Sequence, residues 1–156
     1  MTCQNSGQWN VQLQTCDCVD FWVGTSCERR PYSCKELKFF GYTSHTQHRL
    51  KIDVYRNQSL LVYTQCYISD TDSQTFIFSN GGAESYNKTW EEYLKGFNIG
   101  DWHWWLGLEN IVAFNRMGYR TMVFMIIVQK HHFVWQFGYE NFTINDAKWR
   151  VGFDIV

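Results

Sequence analysis

Apolar and polar side chains alternate through residues 49–54, where Leu50, Ile52 and Val54 are separated by Lys51 and Asp53. That is the period of a strand with one buried face. Residues 59–67 and 74–78 continue the strand-like character, and Asn80-Gly81-Gly82 is a turn signal. The period then changes. Thr89-Trp90-Glu91-Glu92 places an N-capping hydroxyl three residues before a glutamate, a capping box, and the acidic pair Glu91 and Glu92 suits the positive end of a helix dipole. Gly96 is expected to end this helix. A second short helix is predicted over 108–114, followed by strands at 119–128, 133–137 and 149–156. The apolar run from Met122 to Val128 is far shorter than the roughly 20 residues needed to cross a bilayer and reads as a buried strand. There is no internal repeat. The expected class is α+β: a small cysteine-rich piece, then a mostly antiparallel twisted sheet with two short helices.

Residues 1–30 differ from the rest in being polar and rich in cysteine, and Glu28-Arg29-Arg30-Pro31, holding the chain's single proline, is a plausible junction. Two domains are therefore expected, at 1–30 and 32–156. All the cysteines, Cys3, Cys16, Cys18, Cys27, Cys34 and Cys66, lie in the first 66 residues. An even count permits full pairing in many connectivities. Zinc held by Cys16, Cys18, Cys27 and Cys34 is the rival reading, but Cys-x-Cys is a poor knuckle for tetrahedral metal. Disulfides are favoured, and no cofactor or metal is expected.

Two stretches of this segment resemble an EGF-like domain. Cys3-Gln-Asn-Ser-Gly is similar to its Cys-x-Asn-Gly-Gly start; Cys16-Asp-Cys18, eight residues and Cys27-Glu28, with Gly24 inside, are similar to its end. The resemblance matches Cys3, Cys16, Cys18 and Cys27 to the second, fourth, fifth and sixth cysteines of that domain. The third position falls at Trp9 and the first lies upstream. It implies the pairs Cys3–Cys16 and Cys18–Cys27, which leaves Cys34 and Cys66 for each other.

Composition narrows the function classes. Aromatic residues make up 19% of the 156 positions, which favours sheet. A net charge of -1 supplies no field to draw the chain onto nucleic acid or an anionic membrane. No G-x-S-x-G, H-E-x-x-H, P-loop or G-x-G-x-x-G occurs, so an enzyme is not expected. His131 and His132 are adjacent and would point to opposite faces of a strand, which makes them poor joint metal ligands. Asp70 and Asp72 lack a third ligand at calcium-loop spacing. Within Trp102-His103-Trp104-Trp105, core packing is the expected role, with Trp102 as a candidate for ligand contact. Asn57-Gln-Ser, Asn87-Lys-Thr and Asn141-Phe-Thr are N-glycosylation sequons, in keeping with secretion. The first residues contain no basic stretch followed by an apolar one, so no signal peptide is visible in this chain.

The segment 86–111 carries the most specific pattern. Trp90, Tyr93, Gly96, Phe97, Trp105, Leu106, Gly107, Asn110 and Ile111 stand at the spacing of Trp-x-x-Tyr-x-x-Gly-Phe, a short loop and Trp-Leu-Gly-x-x-Asn-Ile. This resembles the signature of fibrinogen C-terminal-like domains, over about residues 32–156. Cys34 and Cys66 fall where that family's first bridge would sit. The family's Gly-Gly-Gly-Trp turn is replaced near Ser73-Gln74-Thr75-Phe76, and the two arginines that follow it are absent. The chain ends at Val156, before the family's calcium loop, second disulfide, ligand pocket and final strand, so the resemblance assigns no such site to any residue. It implies an extracellular protein-interaction module in adhesion, matrix or cell-surface signalling. A lectin-like recognition protein and a fragment without independent function are the alternatives. A protein partner is expected, and self-association through the sheet position left open by the final strand.

Overall fold

The computed structural model describes residues 2–79, 86–100, 103–128 and 133–155. The Asn80-Gly81-Gly82 turn, Trp102 and the His131-His132 pair lie outside them. The chain divides into two compact units, Met1–Gly107 and Leu108–Val156.

The first unit opens with a hairpin of β1 (Gln8–Asn10) and β2 (Thr15–Asp17). After it comes a short helix, α1 (Cys34–Phe39). Strands β3 (Ser44–Ile52), β4 (Val62–Ile68) and β5 (Ser73–Phe76) form one antiparallel sheet with β4 in the middle. A smaller sheet sets β8 (His103–Trp105) between β6 (Phe78–Ser79) and β7 (Phe97–Gly100), with α2 (Trp90–Lys95) just before β7. The second unit is α3 (Leu108–Arg116) followed by β9 (Met122–Val128), β10 (Phe133–Asn145) and β11 (Arg150–Ile155), with β10 central. The class is α+β, and all strand pairs are antiparallel among the described residues.

Among the described residues, three helices and four small sheets stand where two helices and one sheet were expected. The additional helix, α1, begins at Ser33, whose extended backbone lets its hydroxyl accept the Glu36 N–H at 3.2 Å. Only Cys34 and Leu37 are buried on it, too few to print a helical period on the sequence. Strand β3 stops at Ile52, short of the expected Val54, because Asp53 turns inward. It is fully buried; its carboxylate accepts from the Asn57 N–H at 2.6 Å and from the Gln58 amide, while its carbonyl accepts the Arg56 N–H at 3.0 Å. A carboxylate that saturates the chain's next N–H groups makes a turn and ends the strand.

Alternation in β4 sets the layering of this unit. Val62, Thr64, Cys66 and Ile68 are all buried on one face. That face takes α1 through the Cys34–Cys66 disulfide, whose two residues have no solvent exposure. On the opposite face the Arg49 guanidinium lies 5.6 Å from the Tyr63 ring and 5.7 Å from the Trp104 ring.

Around α2 the sequence signature resolves into packing. Thr89 and Glu92 close the capping box. The Tyr93 hydroxyl donates to the Tyr86 carbonyl at 2.7 Å, and the Trp105 indole N–H donates to the Tyr93 carbonyl at 2.8 Å. Tyr86 and Tyr93 each meet Phe97 edge to face. Gly96 and Gly107 bring two backbones together: a Cβ on Gly96 would lie 2.5 Å from the Leu106 carbonyl oxygen, and one on Gly107 would lie 2.6 Å from that of Lys95. Both have positive φ, near +94° and +98°.

In the second unit α3 runs to Arg116, past the expected end at 114, because Asn115 is a buried hub. Its amide donates to the Tyr119 carbonyl at 2.9 Å and the Phe142 carbonyl at 2.8 Å, and its oxygen accepts from Arg120 at 2.7 Å. Strand β10 continues past the expected 137 by pairing with β11 across a bulge between Glu140 and Thr143, where Asn141 adopts φ 51°.

Two substitutions test these attributions. Asn115→Ala leaves a buried carbonyl, a half-buried one and a guanidinium without this partner and is expected to destabilise by about 2–4 kcal/mol in chemical denaturation. Gly107→Ala must move the Lys95 backbone or its own, and is expected to cost about 2–3 kcal/mol, whereas Gly118→Ala has the left-handed φ without the crowding and costs about 1 kcal/mol.

Candidate functional site

Among the described residues no group of His, Cys, Asp and Glu is arranged to hold a metal ion. What the chain offers is surface: a disulfide-braced N-terminal segment, its seam with the first sheet, and the sequons.

The N-terminal segment is built by two disulfides. Cys3–Cys16 and Cys18–Cys27 have Cα separations of 5.8 and 5.4 Å, Cys34–Cys66 one of 5.5 Å, and none of the cysteines is free. Gln4 N–H donates to the Ser26 carbonyl at 2.8 Å, and the Asn5 amide donates to the Cys27 carbonyl at 2.7 Å. Gly7 is pressed against the second bridge, where a Cβ would meet the Cys27 Sγ at 2.5 Å. Gly24, with φ near +102°, similarly leaves room for the Glu28 carboxylate. Burial disfavours charge on Glu28, but its own N–H, that of Ser26 and the Ser26 hydroxyl outweigh it and hold the carboxyl below the usual range. The β1–β2 hairpin, which the cysteine spacing did not announce, is closed by Asn10. Its side-chain oxygen accepts from the N–H groups of Gln12 and Leu13, each at 3.1 Å, and its amide donates to Asp17 at 3.0 Å.

Three side chains, Tyr42, Glu36 and Gln58, bind this segment to the residues behind it, and Arg30 braces it from within. The Tyr42 hydroxyl stands 3.1 Å from the carbonyls of both Cys18 and Trp22, and its ring meets Phe21 at 5.5 Å. Glu36 grips Arg29 with both oxygens, at 2.8 and 3.1 Å, and also accepts the Tyr32 N–H at 2.6 Å. Arg30 lies over the Trp22 ring at 3.9 Å and donates to the Asp20 carbonyl at 2.6 Å. Gln58 accepts the Arg30 N–H at 2.9 Å with one end of its amide and donates to Asp53 with the other. Pro31 is fully buried, its carbonyl accepting the Asp53 N–H at 2.7 Å. Sequence reasoning placed a break at 28–31 and named none of these partners. They are separated from the break by up to 28 residues, and only the Ser33-x-x-Glu36 capping pattern gave a local signal.

The sequon asparagines Asn57, Asn87 and Asn141 are all exposed, in different settings. Asn57 lies in the Asp53 turn, where its side-chain oxygen accepts the Ser59 N–H at 3.2 Å. Asn87 precedes the α2 cap, and the hydroxyl of its Thr89 donates to Glu92 at 2.9 Å. Asn141 sits at the β10 bulge with its amide donating to Asp154 at 2.7 Å. Of the tryptophan cluster, Trp104 is buried and Trp105 half-buried, both in packing roles.

Comparison with known proteins fits this geometry. Mouse tenascin is 25% identical over 120 residues, which are 77% of this chain and 6% of tenascin. The fibrinogen-like globe domain of human ANGPTL6 superposes with a TM-score of 0.70 at 19% identity, covering 89% of this chain and 60% of that one. The corresponding domain of human ANGPTL2 gives 0.66 at 20% identity, covering 79% and 57%. Lamprey fibrin D-dimer, complexed with the peptide Gly-His-Arg-Pro-amide, gives 0.63 at 15% identity, covering 82% and 41%. The chain thus spans a small fraction of tenascin and about half of the solved chains. The family model for the C-terminal globular domain of fibrinogen beta and gamma chains matches residues 30–155, and the chain belongs to that non-enzymatic family.

Proposed function

We propose that the chain is an extracellular protein-interaction module acting in adhesion, matrix or cell-surface signalling. In this reading residues 1–30 are a partial EGF-like domain, and residues 32–156 are the fibrinogen C-terminal body that presents the contact surface. The observation that carries it is the closed set of three disulfides with no free cysteine. Bridges of this density persist in oxidising compartments and brace a segment too small to bury a core of its own. The likeness to tenascin and to fibrinogen-like globes supports the same setting, and the peptide held by lamprey fibrin supports a peptide or protein as the ligand class. The exposed sequons at Asn57, Asn87 and Asn141 fit passage through the secretory pathway. Trp102 is retained as a contact residue.

The N-terminal segment acts in this proposal as a stiff spacer, because Glu36, Tyr42 and Gln58 hold it to the first sheet. The outer edges of β9 and β11 carry no further strand among the described residues and can accept one from a second copy.

Secretion from eukaryotic cells tests the reading. Alkylation before reduction is expected to add no mass, and alkylation after reduction to label all the cysteines; reactive thiols in the secreted protein overturn it. Cys34→Ser with Cys66→Ser is expected to lower stability by about 2–4 kcal/mol and to cut secretion. Sedimentation tests the open edge: association at tens of micromolar is expected, and a clean monomer removes it.

A further inference from the structure

Helix α1 turns Cys34 and Leu37 inward. Lys35, Lys38 and Phe39, spaced i, i+3, i+4, share another flank. Phe39 is 85% exposed, the highest value among the large apolar side chains described. Phe40 follows, exposed and edge-on to Phe39 at 5.6 Å. From Phe40 the surface runs to Arg29, 5.9 Å from its ring; Arg29 lies 4.2 Å from the Tyr32 ring, and Arg56 lies 5.0 Å from that same ring. Lys35, Lys38, Arg29 and Arg56 are four cations against two carboxylates: Glu36, which Arg29 already occupies, and Glu28, whose charge also reaches Arg29. Lys35, Lys38 and Arg56 have no carboxylate within ion-pair distance among the described residues. The patch is net positive by two on a chain whose net charge is -1.

We propose that this patch docks an acidic peptide segment of a partner protein anchored by one aromatic or branched aliphatic side chain. The anchor covers Phe39 and Phe40, and flanking carboxylates meet Lys35, Lys38 and Arg56. Exposed aromatic rings beside arginine and lysine fit such a segment. A sulfated glycan would use the cations and leave the rings in water. The proposal rests on the interaction-module reading and names its partner's chemistry.

Selection of phage-displayed peptides on the intact, disulfide-bonded chain tests it. The enriched sequences are expected to place Asp or Glu within a few residues of an aromatic, Leu or Ile. Their binding, read by fluorescence anisotropy, is expected to fall about tenfold with Phe39→Ser and more with Lys35→Glu plus Lys38→Glu, and to weaken as salt rises from about 0.05 to about 0.5 M. Charge-reversed peptides are expected to bind the doubly substituted chain, a rescue that misfolding would not give. No enrichment, enrichment without acidic residues, or equal binding to parent and variants overturns the patch while leaving the module reading in place. Tighter binding of a heparin oligosaccharide, or self-association that the lysine reversals abolish, overturns the choice of partner. Reactive thiols in the secreted chain would instead sink the module reading.

Discussion

One covalent link decides how the first unit is arranged. The Cys34–Cys66 bridge ties a six-residue helix to the middle strand of a three-stranded sheet, and both sulfurs are shut away from solvent. Helix α1 is too short to hold itself in water. With its first residue fixed on β4, its first turn is aimed, and Glu36 reaches Arg29 and the Tyr32 N–H. That grip, with Tyr42 on the Cys18 and Trp22 carbonyls, orients the segment N-terminal to Tyr32. On the other side of the junction Asp53 receives Gln58 and donates its N–H to Pro31, so the connecting segment is pinned from both flanks.

The second unit is organised by a neutral group. Asn115 satisfies two backbone carbonyls and accepts from Arg120, joining the end of α3 to the loop that follows and to β10. A side-chain amide can serve both as donor and as acceptor without the desolvation cost of a buried charge.

The parts of the fold legible in the sequence are those with local causes. Thr89 and Glu92 announced α2, Gly96 announced its end, and alternation at Leu50 and Ile52 announced β3. Within the first unit, the spacing that named the family follows from packing: Gly96 lies against Leu106 and Trp105 against Tyr93. Helix α1 escaped notice because it buries two side chains only, and the β1–β2 hairpin because its strands are three residues long. The surface around Phe39 was invisible for a different reason. Its members come from the 29–32 stretch, from α1 and from the Asp53 turn, and only the folded chain brings Arg29, Tyr32, Phe40 and Arg56 together.

The turn that begins at Asp53 has a bearing on how its sequon should be read across species. Asn57 orders the backbone of Ser59, and Gln58 bridges the junction to the turn with both ends of its amide. Selection for folding alone would therefore preserve Asn57 and Gln58 in a lineage that never attached a sugar there. Retention of those two letters is a record of architecture, and only the hydroxyl at Ser59 is left to report on carbohydrate.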